Sequence, residues 1–421
     1  MNKKRILSLL LMLMIVICCV TEALVIRDLK VQNKEMTEKI AELDTDVFNQ
    51  GVSISRVEGQ LENKADEVLP QFFLPADIYV CEGMTLEVYN ESVCSKANPL
   101  LYDFYWECPI GDCMEDKYYI HPGAGTAGDY ELVLHVYDYA LQQVGEVSST
   151  LHVVPDAFAD ENAGNLKMLT IGDSLTAGTR WLSYTRDLSG DKLFHVGTLG
   201  DESGLMHEGI PGITAGDYLN GTLFGVESPS PFYDSASGKF DFSYYKKTTG
   251  IEPDVVGVFL GTNGLELEPQ GNGGNIITIV DKIIEADPDM QILVIEPIYP
   301  ANQDGMARQQ NIRGYEGLRG MWSLSRSRMV FNLIAYLDEQ LAGYDNVTIV
   351  PTAMILDRFY GFDQTALSKN PHSDVLDEMP AQGVHPASAG YEQIGDGIYS
   401  ALCYLIQEGK LTTTHGEVAS E

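Results

Sequence analysis

Basic residues are scarce in this chain of 421 residues: 27 lysines and arginines stand against 61 aspartates and glutamates, a formal charge of −34. That shortage excludes nucleic acid as the expected partner, because phosphate binding needs a basic surface. It also disfavours tight binding of the folded part to anionic headgroups. No G-x-x-x-x-G-K phosphate loop occurs and no His/Cys/Asp cluster has metal-ligand spacing, so neither a cofactor nor a metal is expected. Disorder is excluded as well, since 44% hydrophobic and 9% aromatic residues can build cores.

What is present divides into three regions. Residues 1–70 carry a net charge of −2, residues 71–160 one of −13 and residues 161–421 one of −19. At roughly 100–200 residues per domain, this length predicts two or three folded units.

Lys3, Lys4 and Arg5 precede an apolar run from Ile6 to Val20 that resumes after Thr21 and Glu22 and reaches Ile26. A basic head before an apolar stretch is an export signal with its basic end in the cytoplasm. Residues 1–26 are expected to stay as a membrane anchor; cleavage and secretion is the alternative, weakened by Glu22 in the only small-x-small site. From Ile26 a heptad pattern follows. Positions Ile26, Asn33, Ile40, Val47, Ile54, Leu61 and Val68 alternate with Leu29, Met36, Leu43, Gln50, Val57 and Lys64, mostly apolar. This predicts a coiled-coil stalk over 27–69, with β-branched residues and Asn33 favouring a parallel homodimer.

After Pro70 the period changes to two. The segments 85–92, 102–108, 130–139 and 148–154 read as short strands, so 71–156 is expected to be a small immunoglobulin-like β-sandwich. Cys81, Cys94, Cys108 and Cys113 lie within it and, in an oxidising compartment, predict two disulfides in one of three pairings. Cys403 reads as a buried core thiol.

Residues 165–408 alternate strand and helix signals, with strands at 167–172, 193–199, 254–261, 291–297 and 347–351. Alternation of this kind predicts a parallel sheet covered by helices, with the active site at the strands' carboxyl ends. Four short blocks fall there. Gly172-Asp173-Ser174-Leu175 places a serine where a strand meets a helix, which is also an ordinary cap position. Glu208-Gly209-Ile210-Pro211-Gly212 lets backbone N–H groups approach a ligand, or is a simple turn. Gly261-Thr262-Asn263-Gly264 supplies an amide donor, though Asn-Gly is also a common turn. Gly383-Val384-His385-Pro386 puts a histidine where a general base is needed.

Taken in order, these blocks resemble the SGNH (GDSL-type) esterase and lipase family. The resemblance implies a flavodoxin-like three-layer α/β fold and serine-ester hydrolysis, with Ser174 as nucleophile and His385 as base. The N–H groups of Ser174 and Gly212 and the Asn263 amide would form the oxyanion hole. The G-x-S-x-G elbow of α/β-hydrolases is missing. One position departs from the family: Gln382 stands where an aspartate usually precedes the histidine by three. Either a Ser–His dyad operates, with Gln382 or a backbone carbonyl holding the ring, or Asp374, Asp377 or Glu378 supplies the acid.

Two segments are candidate cleft walls. One is the aromatic insert 222–250, with Phe224, Phe232, Tyr233, Phe240, Phe242, Tyr244 and Tyr245, whose alternative is ordinary packing. The other is 301–325, with Asn302, Arg308, Arg313, Tyr315, Arg319 and Trp322. The expected substrate is an O-acyl, most simply O-acetyl, ester on a carbohydrate polymer outside the membrane. A lipase and a non-catalytic glycan-binding protein on a degenerate hydrolase fold are the alternatives. Residues 409–421 are expected to be a flexible tail.

Overall fold

Consecutive residues of the central strands point to opposite faces, and each face has its own core. Leu169, Ile171, Val256, Val258, Ile292 and Val294 belong to one cluster, whereas Leu166, Met168, Val255, Phe259, Leu293 and Ile295 belong to the other. A strand buried on both faces reads as an unbroken apolar run, which is why Val255–Phe259 is buried throughout.

The computed structural model describes residues 72–94, 98–200, 203–265, 267, 269–302, 323–368 and 370–414. The predicted anchor (1–26), the stalk (27–69), the end of the tail (415–421) and Arg308, Arg313, Tyr315, Arg319 and Trp322 lie outside the described residues. Among the described residues no helix is long and apolar enough to cross a membrane.

Residues 77–154 form two small sheets. Strands β1 (Asp77–Cys81), β3 (Asp103–Glu107), β6 (Gly128–Tyr137) and β7 (Gln143–Val154) pair in the order β1-β7-β6-β3, with β1 parallel to β7. Strands β2 (Leu86–Tyr89), β4 (Asp112–Cys113) and β5 (Lys117–Ile120) pair as β2-β5-β4, and a one-turn helix α1 (Asn90–Val93) follows β2. Trp106 and Tyr118 join the two sheets with ring centroids 5.9 Å apart, and the buried Trp106 Nε1–H donates to Asn90 Oδ1 at 2.7 Å.

The larger sheet holds β8 (Leu166–Gly172), β9 (Leu193–Val196), β10 (Leu199–Gly200), β11 (Met206–Gly209), β16 (Val255–Phe259), β17 (Gln291–Ile295) and β18 (Val347–Val350). Both β9 and β11 lie on one edge of β8, and β16, β17 and β18 follow on the other, all parallel to β8. Counting β9 and β11 as one position, the order is the doubly wound 2-1-3-4-5 pattern. Its switch point, where ligands bind, lies between the carboxyl ends of β8 and β16. Helices α3 (Arg180–Leu188) and α9 (Ser388–Gln407) cover one face; α4 (Ala215–Asn220), α6 (Pro269–Ala286) and α7 (Ser323–Leu341) cover the other.

Helix α6 begins earlier than its apolar pattern, which starts near residue 275, because its first turns are rich in glycine and polar residues. Packing explains the extension: a Cβ on Gly273 would stand 2.6 Å from the Tyr336 ring of α7, so the glycine lets the two helices approach.

The small sheets and the larger domain belong to one compact unit, Pro70–Glu421. Tyr79 and Cys81 of β1 pack into the α9 core while Ile78 and Val80 face the other way. The Cys81 N–H donates to Ser400 Oγ at 3.2 Å. That alternation corrects the expected disulfides. No disulfide joins any of Cys81, Cys94, Cys108, Cys113 and Cys403. Cys81 turns toward α9, where it shares a core with Cys403.

Candidate active site

Strand β8 ends at Gly172, and the chain turns at once into α2 (Ser174–Ala177). Asp173 caps this turn, its carboxylate accepting the Leu175 N–H at 2.9 Å. The cap fixes Ser174 as the first helical residue, at the carboxyl edge of the sheet. Asp173 is fully buried. Burial raises its pKa to about 7, against the opposing pull of the Leu175 N–H and the Arg326 charge.

His385 comes from the loop between β20 (Leu376–Pro380) and α9, 211 positions along the chain from Ser174. Its Nε2 lies 2.9 Å from Ser174 Oγ. With the ring proton on Nδ1, the serine hydroxyl donates to Nε2, the arrangement a general base requires. Burial, and then the nearby Arg180 guanidinium, hold the His385 pKa below its ordinary value of 6.5, so the ring is neutral at neutral pH.

The loop carrying His385 is anchored on two sides. Arg180 Nη1 donates to the Pro386 carbonyl at 3.4 Å, and the guanidinium carbon Cζ sits 5.5 Å from the centre of the Tyr391 ring. The Ala301 N–H donates to the Gly383 carbonyl at 3.1 Å. Next to Ala301, Asn302 Nδ2 contacts both oxygens of Glu91 at 2.9 and 2.7 Å. Ala301 and Asn302 therefore link the α1 segment to the histidine loop.

The third block lies on the turn after β11. Ile210 N–H donates to Gly172 O at 3.1 Å and Ile213 N–H to Ile210 O at 3.2 Å. Gly212 has φ +80°, a conformation that favours glycine, and the Phe224 ring occupies the space a Cβ would need, its Cζ 2.3 Å from that position. Tyr218 OH donates to Gly172 O at 3.0 Å and also to Glu208 O. The buried Glu208 carboxylate accepts from Thr198 N at 2.5 Å, Thr198 Oγ1 at 2.9 Å and Tyr245 OH at 2.8 Å, so the strand end before Gly209 is rigidly held.

Asn263 ties these blocks together. Its Nδ2 donates to Asp173 Oδ2 at 3.2 Å and to Ile213 O at 3.1 Å. Both bonds are at the long end of the range, so either can yield to a stronger bond with a developing oxyanion. Asn272 of α6 steadies the block from below, donating to Gly261 O at 3.3 Å and Asn263 O at 3.4 Å. The buried Arg326 of α7 donates to Thr262 O. Replacing Asn263 by alanine is expected to lower kcat for an acetyl ester by about 10²–10³-fold, the usual loss of one oxyanion donor. Steady-state kinetics with an unchanged melting temperature checks this.

The structure thus gathers Ser174, Gly212, Asn263 and His385 around the sheet's switch point. It does not bring the candidate acids into the same role. Asp374 is exposed, and Asp377 stands opposite Leu367 in the hairpin formed by β19 (Gln364–Ser368) and β20. Among the described residues the charge acting on His385 is that of Arg180; neither Asp374 nor Asp377 contributes to its shift. Gln382 is half-buried beside the histidine loop. The sequence reading missed Arg180, Arg326 and Asn272. Their one signal is position, since Arg180 and Arg326 each lie near the start of a helix that follows a strand's carboxyl end.

The serine hydroxyl and the imidazole stand as a nucleophile and its base would stand. No family model matches the chain, and no curated protein matches it either. Solved structures do. An acetyl esterase structure with bound acetate is 18% identical, spans 58% of this chain and 99% of its own, and has a TM-score of 0.35. A family 3 carbohydrate esterase from Talaromyces cellulolyticus is 17% identical, with coverages of 58% and 99% and a TM-score of 0.35. One from Clostridium thermocellum is 15% identical, with coverages of 57% and 98% and a TM-score of 0.34. It is the order of Ser174, Gly212, Asn263 and His385 in the sequence that resembles the SGNH hydrolases.

The aromatic insert is divided by the structure. Phe232, Phe240, Phe242 and Tyr245 are buried and stack on one another, with Phe232 and Tyr245 centroids 4.2 Å apart. They belong to the same core as Leu169 and Val256 and carry Tyr245 to Glu208, so packing accounts for them. Phe224 is different: it is 76% exposed.

Proposed function

We propose that this protein is a serine ester hydrolase that removes short O-acyl groups, foremost O-acetyl, from a carbohydrate. The 2.9 Å contact between Ser174 Oγ and His385 Nε2 carries this reading. Ser174 Oγ attacks the ester carbonyl while its proton passes to His385 Nε2. The carbonyl π electrons move to oxygen, which the Ser174 and Gly212 N–H groups and the Asn263 amide stabilise. The tetrahedral species collapses, the alcohol leaves with the proton from His385, and an acyl-Ser174 remains. Water then attacks this acyl group, His385 takes its proton and returns it to Ser174 Oγ, and the carboxylic acid departs.

A Ser–His dyad fits the surroundings of His385, because the loop bonds from Arg180 and Ala301 orient it without a carboxylate. A fluorophosphonate probe is expected to label the folded protein at Ser174. No adduct would end the enzyme reading and favour a glycan-binding protein. Acetate release from acetylated oligosaccharide is expected to exceed cleavage of octanoyl esters; the reverse order would point to a lipase. The N-terminal pattern further supports an exported, membrane-held homodimer, which fractionation and cross-linking of the full chain would test.

A further inference from the structure

The hairpin of β12 (Thr222–Leu223) and β13 (Val226–Glu227) turns through Phe224 and Gly225, whose φ angles are +53° and +74°. Two consecutive positive φ values are the geometry of a type I′ hairpin turn, where asparagine and glycine are favoured. A bulky aromatic at the first of these positions is an outlier, and such outliers concentrate at functional sites. The turn gives no local reason for phenylalanine.

The position of the ring supplies one. Phe224 packs against Gly212, whose N–H belongs to the proposed oxyanion hole, yet the side chain is 76% exposed. A ring with one edge on Gly212 and a face in solvent is a platform. We propose that Phe224 is a specificity-determining residue that stacks on the sugar bearing the ester. This rests on the esterase reading above and names its substrate class.

The chemistry favours a sugar over an acyl chain. In an O-acetyl ester only one oxygen separates the carbonyl carbon from the sugar, so a platform beside the oxyanion donor is within reach of the pyranose. Along the hairpin Val226 is also 68% exposed, and residues 225–229 are all exposed. An acyl chain needs an enclosed apolar lining, which an open hairpin tip does not provide. Phe232, Phe240, Phe242 and Tyr245 of the insert are buried in the core, whereas the Phe224 ring faces the solvent.

Phe224→Asn removes the ring while keeping a residue suited to the turn, and Phe224→Trp restores an aromatic face. The readout is the ratio of kcat/KM on acetylated xylo-oligosaccharide to kcat/KM on p-nitrophenyl acetate, with melting temperature as the folding control. Phe224→Asn is expected to lower this ratio about tenfold, mainly through KM, and Phe224→Trp to recover most of it. An unchanged ratio in Phe224→Asn, with wild type cleaving the oligosaccharide, overturns the platform and leaves the esterase reading standing. A selective loss on octanoyl esters instead also overturns it, by assigning the ring to the acyl chain. Failure of the wild type to cleave any ester overturns both.

Discussion

Ser174→Ala is expected to lower kcat on p-nitrophenyl acetate by roughly 10⁴–10⁶-fold, the scale on which serine nucleophiles are lost. Folding should hardly change. The Ser174 side chain is half-buried, and the turn it starts is capped by Asp173, not by its own hydroxyl. The oxyanion donors at Gly212 and Asn263 remain, so residual catalysis over water is expected. Kinetics on the purified variant, with circular dichroism alongside, checks this; activity within tenfold of wild type would rule out Ser174 as the nucleophile.

His385→Ala should cost a comparable factor, again roughly 10⁴–10⁶-fold, because without the base the hydroxyl is not activated. Gln382→Ala should cost less than about tenfold, since loop contacts from Arg180 and Ala301 hold the ring. Equal losses in the two variants, with the fold intact, would make Gln382 the indispensable holder of the ring. The pH profile gives a second check. Neutral His385 is the active form, so kcat/KM is fully expressed above its pKa and falls as pH drops through it. Burial and Arg180 depress that pKa, so the acid limb should lie below 6.5. Arg180→Gln removes one depressing cause and should move the limb upward. A limb above 6.5 in wild type would show that a carboxylate does act on the ring.

The elements around the site were legible because their signals are local. β8, β16, β17 and β18 fall within two residues of the apolar runs that predict them. β11 was not legible: Met-His-Glu-Gly has no strand pattern, and these residues are extended because Glu208 and Gly209 pair with Ile171 and Gly172. The insert shows the same limit. Composition counts Phe224 and Phe232 alike, but one is buried in a stack and the other stands in solvent beside Gly212.

By itself the sequence determined the α/β alternation and the order of Ser174, Gly212, Asn263 and His385, because a strand end, a tight glycine turn and a helix start are written in a few neighbouring residues. The tertiary structure decided which distant groups meet. Arg180 beside His385, Arg326 on Thr262, Glu91 on Asn302 and Cys81 against Cys403 depend on helix and strand packing. Such contacts join residues tens to hundreds of positions apart. Only a folded sheet, with its helices fixed on both faces, brings their charges and hydrogen bonds within reach of one another.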